Sequence, residues 1–385
     1  MITQYSLKMP RAVFAGENST DKLESIIAGN HLTNIAVFTD KAIRSLGLAD
    51  IVTNVLDKVG VDYCILDDIP AEPSYMAVQK IIDELKAKKA DFVIACGGGS
   101  VMDTAKLAGV LITNEYGVKD LLDDPARAKK CVSTLAIPTT AGTGAETTPN
   151  AIVGVPEKNL KIGIVNDALI PDYVILDHRF IDTLPLKISG STGVDALCHA
   201  VECFTSAKAN PISDTFALEA CDLIFNNIIS ACKSKEAAPR SAMQLAAFYA
   251  GIAITASGTT AIHALSYPLG GRYHIAHGVS NAILLCPVMR FNESFISEKL
   301  AAVYDRVFHG ENPVRTAEEK SHYMIAWMEQ IVKELEIPTS LKSFGVPAED
   351  LDDLVTAGLQ VTRLLVNNIR PVTAADARMI YQSIL

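Results

Sequence analysis

The feature that most constrains this chain is a change of hydrophobic period near residue 183. Before it, short apolar runs alternate with amphipathic stretches. Residues 34–39, 63–67, 91–96 and 132–137 read as buried strands, with helical patterns over 41–58, 74–89 and 101–112. Strands separated by helices of this length imply βαβ units and a parallel sheet. Residues 151–155, 161–165 and 173–176 add further short strands. After Pro185 the strand signals fade, and long Ala/Leu/Ile-rich segments such as 213–232, 241–256 and 318–335 repeat at helical spacing. The pattern predicts an α/β domain over residues 1–183 and an all-helical domain over 184–385.

Composition agrees with two folded domains. A length of 385 residues fits two at roughly 150 residues each. With 49% hydrophobic and 20% charged residues, the chain can bury a large core and is not disordered. Its net charge of −10 and pI near 5.3, with no Lys/Arg-rich run, exclude an ordinary nucleic-acid binder. Mean hydropathy is +0.23, yet unbroken apolar runs such as 282–285 fall far short of the ~20 residues of a spanning helix. The first ten residues lack the apolar core of a secretory signal. A soluble, cytoplasmic protein with neither membrane nor nucleic-acid partner is expected. The eight cysteines form no CxxC pair and lie mostly in apolar segments, as buried free thiols in a reducing compartment would.

Three segments of the first half suit a phosphate-bearing ligand. Cys96-Gly97-Gly98-Gly99-Ser100 closes a strand and opens a helix, whose N-terminus presents unpaired N–H groups to an anion. The ordinary GxGxxG fingerprint is absent, because Met102 stands where its last glycine belongs. A plain strand-to-helix turn explains the same glycines. Residues 138–148 hold five threonines and two glycines, a loop able to ring a diphosphate or simply a polar surface loop. Asp40, after a strand, can accept from an adenosine ribose and repel a 2′-phosphate, or cap the helix that begins at Lys41.

The second half offers metal-ligating side chains. Asp195 and His199 stand four apart on one helix face, and His263 and His277 lie 14 residues apart around Gly270-Gly271. One carboxylate and three imidazoles suit Fe(II) or Zn(II). Each element alone also reads as a surface ion pair or a core histidine.

Together these segments resemble the iron-containing (group III) alcohol dehydrogenase family. The matching stretches are Phe38-Thr-Asp40-Lys41, Gly97-Gly-Gly-Ser100 with Asp103 and Lys106, and Pro138-Thr-Thr-Ala-Gly-Thr-Gly-Ala-Glu146. Gly193-Val-Asp195-Ala-Leu-Cys-His199-Ala-Val-Glu202 and the stretch from His263 through Tyr267 and His274 to His277-Gly278 complete them, in family order. The resemblance implies a dehydroquinate synthase-like architecture. A Rossmann-like α/β domain would bind NAD, a helical domain would hold the metal, and substrate would lie in the cleft between. Asp195, His199, His263 and His277 match its metal ligands, for Fe(II) with Zn(II) as the alternative. Asp40 matches the ribose-facing position, Gly98, Gly99 and Ser100 the diphosphate turn, and Thr139, Thr140, Thr143, Asn150 and Lys161 the rest of the cofactor site. Asp103 is a further candidate.

Two positions depart from the family. Tyr267 stands where many members carry a proton-relaying histidine, and a phenol is a poor base at neutral pH, which leaves His274 as a substitute. Glu72-Pro73 replaces a frequent Asn-Pro. The implied activity is hydride transfer between a small alcohol or aldehyde and NAD, with the metal as Lewis acid, in a homo-oligomer. The rivals are a glycerol dehydrogenase-like or dehydroquinate synthase-like zinc enzyme and a non-catalytic dinucleotide-binding protein.

Overall fold

Strands buried on both faces organise the first half. Alternate residues point to opposite cores: Ala36, Phe38, Val93, Ala95 and Ala136 on one side, Ile35, Val37, Phe92, Ile94, Leu135 and Ile137 on the other. That double burial is why these strands read as unbroken apolar runs. The computed structural model describes residues 4–158, 160–234, 236–309 and 316–385. It divides the chain into an α/β unit, Lys8–Leu184, and a helical unit from Pro185–Leu385 that residues 4–7 join. The division falls one residue beyond the 183/184 boundary read from the sequence. The turn before Pro185 belongs to the α/β unit, because the Leu184 N–H donates to the Ile181 carbonyl.

The α/β unit comprises β1 (Ala12–Ala15), α1 (Lys22–Asn30), β2 (Asn34–Phe38), α2 (Lys41–Ser45), α3 (Leu48–Val59), β3 (Asp62–Leu66) and α4 (Tyr75–Lys86). It continues with β4 (Phe92–Gly97), α5 (Gly99–Leu111), α6 (Val118–Asp123), β5 (Ser133–Pro138), β6 (Asn150–Val155), β7 (Leu160–Val165) and β8 (Tyr173–Leu176). Six strands form one parallel sheet in the order β1-β8-β5-β4-β2-β3. Leu23, Ile27, Val52 and Leu56 cover one face from α1 and α3; Val78, Ile82, Leu107 and Leu111 cover the other from α4 and α5.

The chain runs outward from β2 to β3 and then returns to β4 on the other side of β2. That reversal opens a crevice at the C-terminal ends of β2 and β4, where such sheets take their ligands. Asp40 follows one strand and Gly98 the other.

One strand is absent from the sequence pattern, and two that the pattern predicts lie outside the main sheet. Edge strand β1 gave no signal, being four residues long and only half-buried. The segments at β6 and β7 form a separate antiparallel hairpin. Its alternating burial packs Ala151, Val153 and Val155 inward. A buried ion pair straps the hairpin to α5. Asp103 accepts from the Ile152 N–H at 2.9 Å and from Lys106 Nζ at 3.2 Å, and Lys106 donates to the Asn150 carbonyl at 2.8 Å.

The helical unit contains α7 (Leu186–Thr205), α8 (Pro211–Lys233), α9 (Ala237–Ser257), α10 (Ala261–Tyr273), α11 (His277–Val307) and α12 (Ala317–Glu334), then α13 (Leu351–Leu359), α14 (Thr362–Leu365) and α15 (Ala374–Gln382). Among the described residues α8 is long and apolar enough to cross a membrane, although polar residues such as Asp214, Glu219 and Asp222 interrupt its apolar runs. It is a core helix of this unit. Ala217, Ala220, Ile224 and Ile228 are buried against its neighbours, and Asp214 and Asp222 pair with Lys299 and Arg306 of α11. All eight cysteines are free thiols, and burial raises the pKa of Cys96, Cys198, Cys203 and Cys221 far above the ordinary range.

Burial also raises Glu146, inside the threonine-rich loop, from 4.5 to about 7, with nearby Lys106 opposing the shift. A carboxyl whose folded pKa exceeds its unfolded one holds its proton more tightly when folded. Stability therefore falls as pH rises from about 4.5 through about 7. We expect the wild-type protein to lose on the order of 3 kcal/mol across that window, and Glu146→Gln to lose much less. Urea titrations at pH 5 and pH 8 check this.

Candidate metal centre and dinucleotide cradle

Helix α7 presents Asp195, His199 and Glu202 at i, i+4 and i+7, one buried face of a single helix. His263 comes from the first turn of α10, and His277 opens α11. One donor atom from each of Asp195, His199, His263 and His277 lies within 4.8 Å of all the others. The Nε2 atoms of His199 and His263 are 2.8 Å apart, too close for two lone pairs with neither a proton nor a cation between them. Asp195 Oδ1 stands 3.8 Å from His263 Nε2 and 3.7 Å from His277 Nε2. Burial would raise the Asp195 carboxyl, but the three imidazoles outweigh it and hold the group below its ordinary range. Three imidazole nitrogens and a carboxylate oxygen, converging from three helices, fit a divalent first-row metal.

The cluster is closed on one side only. Asp195, His199 and His263 are at most 5% exposed, whereas the His277 side chain is 33% exposed. Glycine at 278 allows α11 to approach so closely, since a Cβ there would lie 2.3 Å from the Ser191 carbonyl oxygen of α7. Tyr267, half-buried one turn beyond His263, places its ring 6.1 Å from that of His277. His274 is not brought into the cluster. It is the exposed C-cap of α10, with φ at 55°, and its N–H donates to the Gly270 carbonyl, so it serves the turn between α10 and α11.

Two residues beside the cluster had escaped sequence reasoning. Glu202 is fully buried, and its Oε1 accepts from the Thr260 N–H at 3.1 Å, the Thr260 hydroxyl at 2.7 Å and the Ile262 N–H at 2.7 Å. Its Oε2 accepts from His263 Nδ1. Buried Asn281 donates to Asp195 Oδ1 at 2.7 Å, and its own Oδ1 has no partner among the described residues. The signals available were their helical spacings, three residues after His199 and four after His277.

In the α/β unit the predicted cofactor residues gather at the crevice, with exceptions. Gly98 caps α5 without a side-chain bond, which leaves the first amides of a 13-residue helix open to an anion. A Cβ at Gly99 would meet the Thr143 methyl at 3.0 Å, so glycine there lets the turn and the threonine loop lie together. Among the described residues the buried hydroxyls of Thr139 and Thr140 have no partner, and neither has that of Thr39, which lies between β2 and Asp40 and carried no assigned role. Unpaired buried hydroxyls are costly, and a ligand rich in oxygen would satisfy them. Asp40 caps α2 through Oδ1, which accepts from the Ile43 N–H at 2.9 Å.

Ser100 Oγ accepts from the Glu72 N–H at 3.0 Å, and Lys161 pairs with the Glu72 carboxylate at 2.5 Å. Asn150 opens β6, half-buried. Asp103 is 7% exposed, and its two oxygens accept from Lys106 and from the Ile152 N–H, which ties it into the strap to β6.

Residues 10–178 match the family described as iron-containing alcohol dehydrogenase, and residues 189–385 match the C-terminal part of the Fe-containing alcohol dehydrogenase family. The chain belongs to the iron-containing alcohol dehydrogenases. It is accordingly an oxidoreductase that interconverts alcohols and carbonyl compounds. Within that family it is 33% identical over 378 residues to long-chain-alcohol dehydrogenase 1 of Geobacillus thermodenitrificans, covering 97% of this chain and 95% of that one. A crystal structure of 1,3-propanediol oxidoreductase superposes with a TM-score of 0.94 at 26% identity, covering both chains completely. Sulfoacetaldehyde reductase from Bifidobacterium kashiwanohense, solved in complex with NAD+, gives 0.87 at 25% identity and 99% coverage of each chain. The fold is thus the dehydroquinate synthase-like one of iron-containing alcohol dehydrogenases.

Because His277 adjoins Gly278, adding a methyl at 278 must displace one donor while leaving all four present. Gly278→Ala is expected to weaken binding of a divalent cation about tenfold or more, as a chelator competition would measure.

Proposed function

We propose that this chain transfers hydride between a small alcohol, or its aldehyde, and NAD, with a divalent iron held by Asp195, His199, His263 and His277. The observation that carries the reading is the convergence of those four donors within 4.8 Å from three separate helices. When bound, the metal supplies Lewis-acid polarisation of the substrate oxygen, and the nicotinamide supplies the hydride acceptor. The chain's own residues do the rest. Asp195, kept ionised, contributes the charge that offsets a dication. His277, the most exposed of the four, marks the side from which substrate oxygen enters. Tyr267 stands beside it with a hydroxyl able to pass on the alcohol proton.

For the dinucleotide, the open amides of α5 take the diphosphate, and the unpaired hydroxyls of Thr139 and Thr140 complete the cradle with Gly98, Gly99, Ser100 and Thr143. Lys161 and Asn150 extend it along the β6–β7 hairpin. The Ile43 N–H orients the Asp40 carboxylate, whose negative charge disfavours a 2′-phosphate and selects NAD over NADP.

Two experiments test this. His263→Ala should lose bound metal, by elemental analysis, and with it alcohol-dependent NAD reduction, while NAD binding in the α/β unit persists. Full metal occupancy in that variant would mean that the wrong histidines have been chosen. Asp40→Asn keeps a good helix cap but removes the charge. It should raise kcat/KM for NADP relative to NAD by about tenfold, and a wild-type enzyme that already prefers NADP would overturn the cofactor assignment.

A further inference from the structure

Glu202 donates nothing to the four-donor cluster, yet it touches one of its members and the helix that carries it. Its Oε1 is occupied by donors that have no alternative role: the backbone N–H groups of Thr260, Ile262 and His263, at 3.1, 2.7 and 3.4 Å, with the Thr260 hydroxyl at 2.7 Å. These are the orphan amides at the start of α10, where Thr260 makes no side-chain cap of its own. A carboxylate from α7 therefore caps α10, and its charge suits the positive end of that helix. Only Oε2 remains, and it faces Nδ1 of His263.

From this arrangement we infer that Glu202 is a positioning residue that sets the tautomer of His263, holding the ring proton on Nδ1 so that Nε2 keeps its lone pair for a metal. The inference rests on the assignment of His263 as a ligand. A neutral imidazole carries one proton, and a carboxylate oxygen can only accept, so Nδ1 must be the protonated nitrogen. The other side of the ring agrees. Asn281 must turn its amide nitrogen toward the acceptor Asp195 Oδ1, and the same nitrogen lies 3.1 Å from His263 Nε2, where it meets a lone pair. One carboxylate thus fixes the start of α10 and the protonation of the side chain that leaves its first turn.

The amide variant separates this role from simple packing. In Glu202→Gln the carbonyl oxygen must stay with the backbone donors, which cannot become acceptors. That leaves the NH2 group facing His263 Nδ1, and an NH2 group only donates. The ring then shifts its proton to Nε2, the atom directed at the cluster. Volume is conserved, while the tautomer is reversed.

The test uses the full chain loaded with zinc(II), with ¹⁵N-labelled histidine rings read by NMR and zinc affinity read by chelator competition. In the wild type, His263 should show a protonated Nδ1 and a zinc-bound Nε2. Glu202→Gln should bind zinc about 10–100-fold more weakly, with its thermal transition still cooperative and NAD binding retained. Wild-type zinc affinity in Glu202→Gln overturns the proposal. So does a wild-type ring carrying its proton on Nε2, a measurement that decides the matter even if the variant fails to fold. Equal zinc binding by wild type and His263→Ala removes the ligand assignment itself, and the proposal falls with it for that separate reason.

Discussion

The helical unit depends on how closely α7 meets the first turns of α10 and α11. Asp195, His199 and Glu202 are all but fully buried on one face of α7, where an unpaired charge would be very costly. Each has a counterpart arriving from elsewhere. Glu202 meets the amides and ring of α10, Asp195 meets Asn281 from α11, and His199 stacks on His263 with centroids 4.5 Å apart. Removing one partner of such a set leaves a buried charge exposed to nothing, which typically costs about 3–5 kcal/mol. The same contacts that make the site chemically useful hold three helices in register.

The α/β unit solves a different problem. A parallel sheet buried on both faces has nowhere to place polar groups except at strand ends, and its topology reverses at the C-terminal ends of β2 and β4. There the chain collects an uncapped helix start, close-packed glycines and unpaired hydroxyls. The Asp103–Lys106 strap shows how the polar side chains beneath this surface are used up. Buried between α5 and the β6–β7 hairpin, they hold the hairpin that carries Asn150 and Lys161. Polar residues that follow the glycine turn therefore serve the scaffold directly.

Most of the architecture was legible because hydrophobic period is a local property. The doubly buried strands β2, β4 and β5 and the long helices α8, α9 and α12 announced themselves in this way. Edge strand β1 did not, since four half-buried residues carry almost no period. The direction of β6 and β7 was equally silent, because alternation reports a strand and not its partner. The donor set was legible for another reason: Asp195 and His199 share a helix face by spacing alone, and the motifs around His263 and His277 carry a family signature.

What the sequence determined by itself was therefore the period of each segment, the order of α/β and helical halves, and the chemical types gathered in the motifs. It could not show that His277 and His274, three residues earlier, face different ways, because that difference lies in backbone direction. His274 takes the left-handed turn that ends α10, while His277 begins α11 over the backbone of α7. Nor could it show what Asp103 is bonded to, since the Ile152 amide it accepts from lies 49 positions away in the chain. Glu202 shows the limit most clearly. Its partners at Thr260, Ile262 and His263 are 58 to 61 positions distant, and a carboxylate acquires a role only when tertiary packing brings it donors.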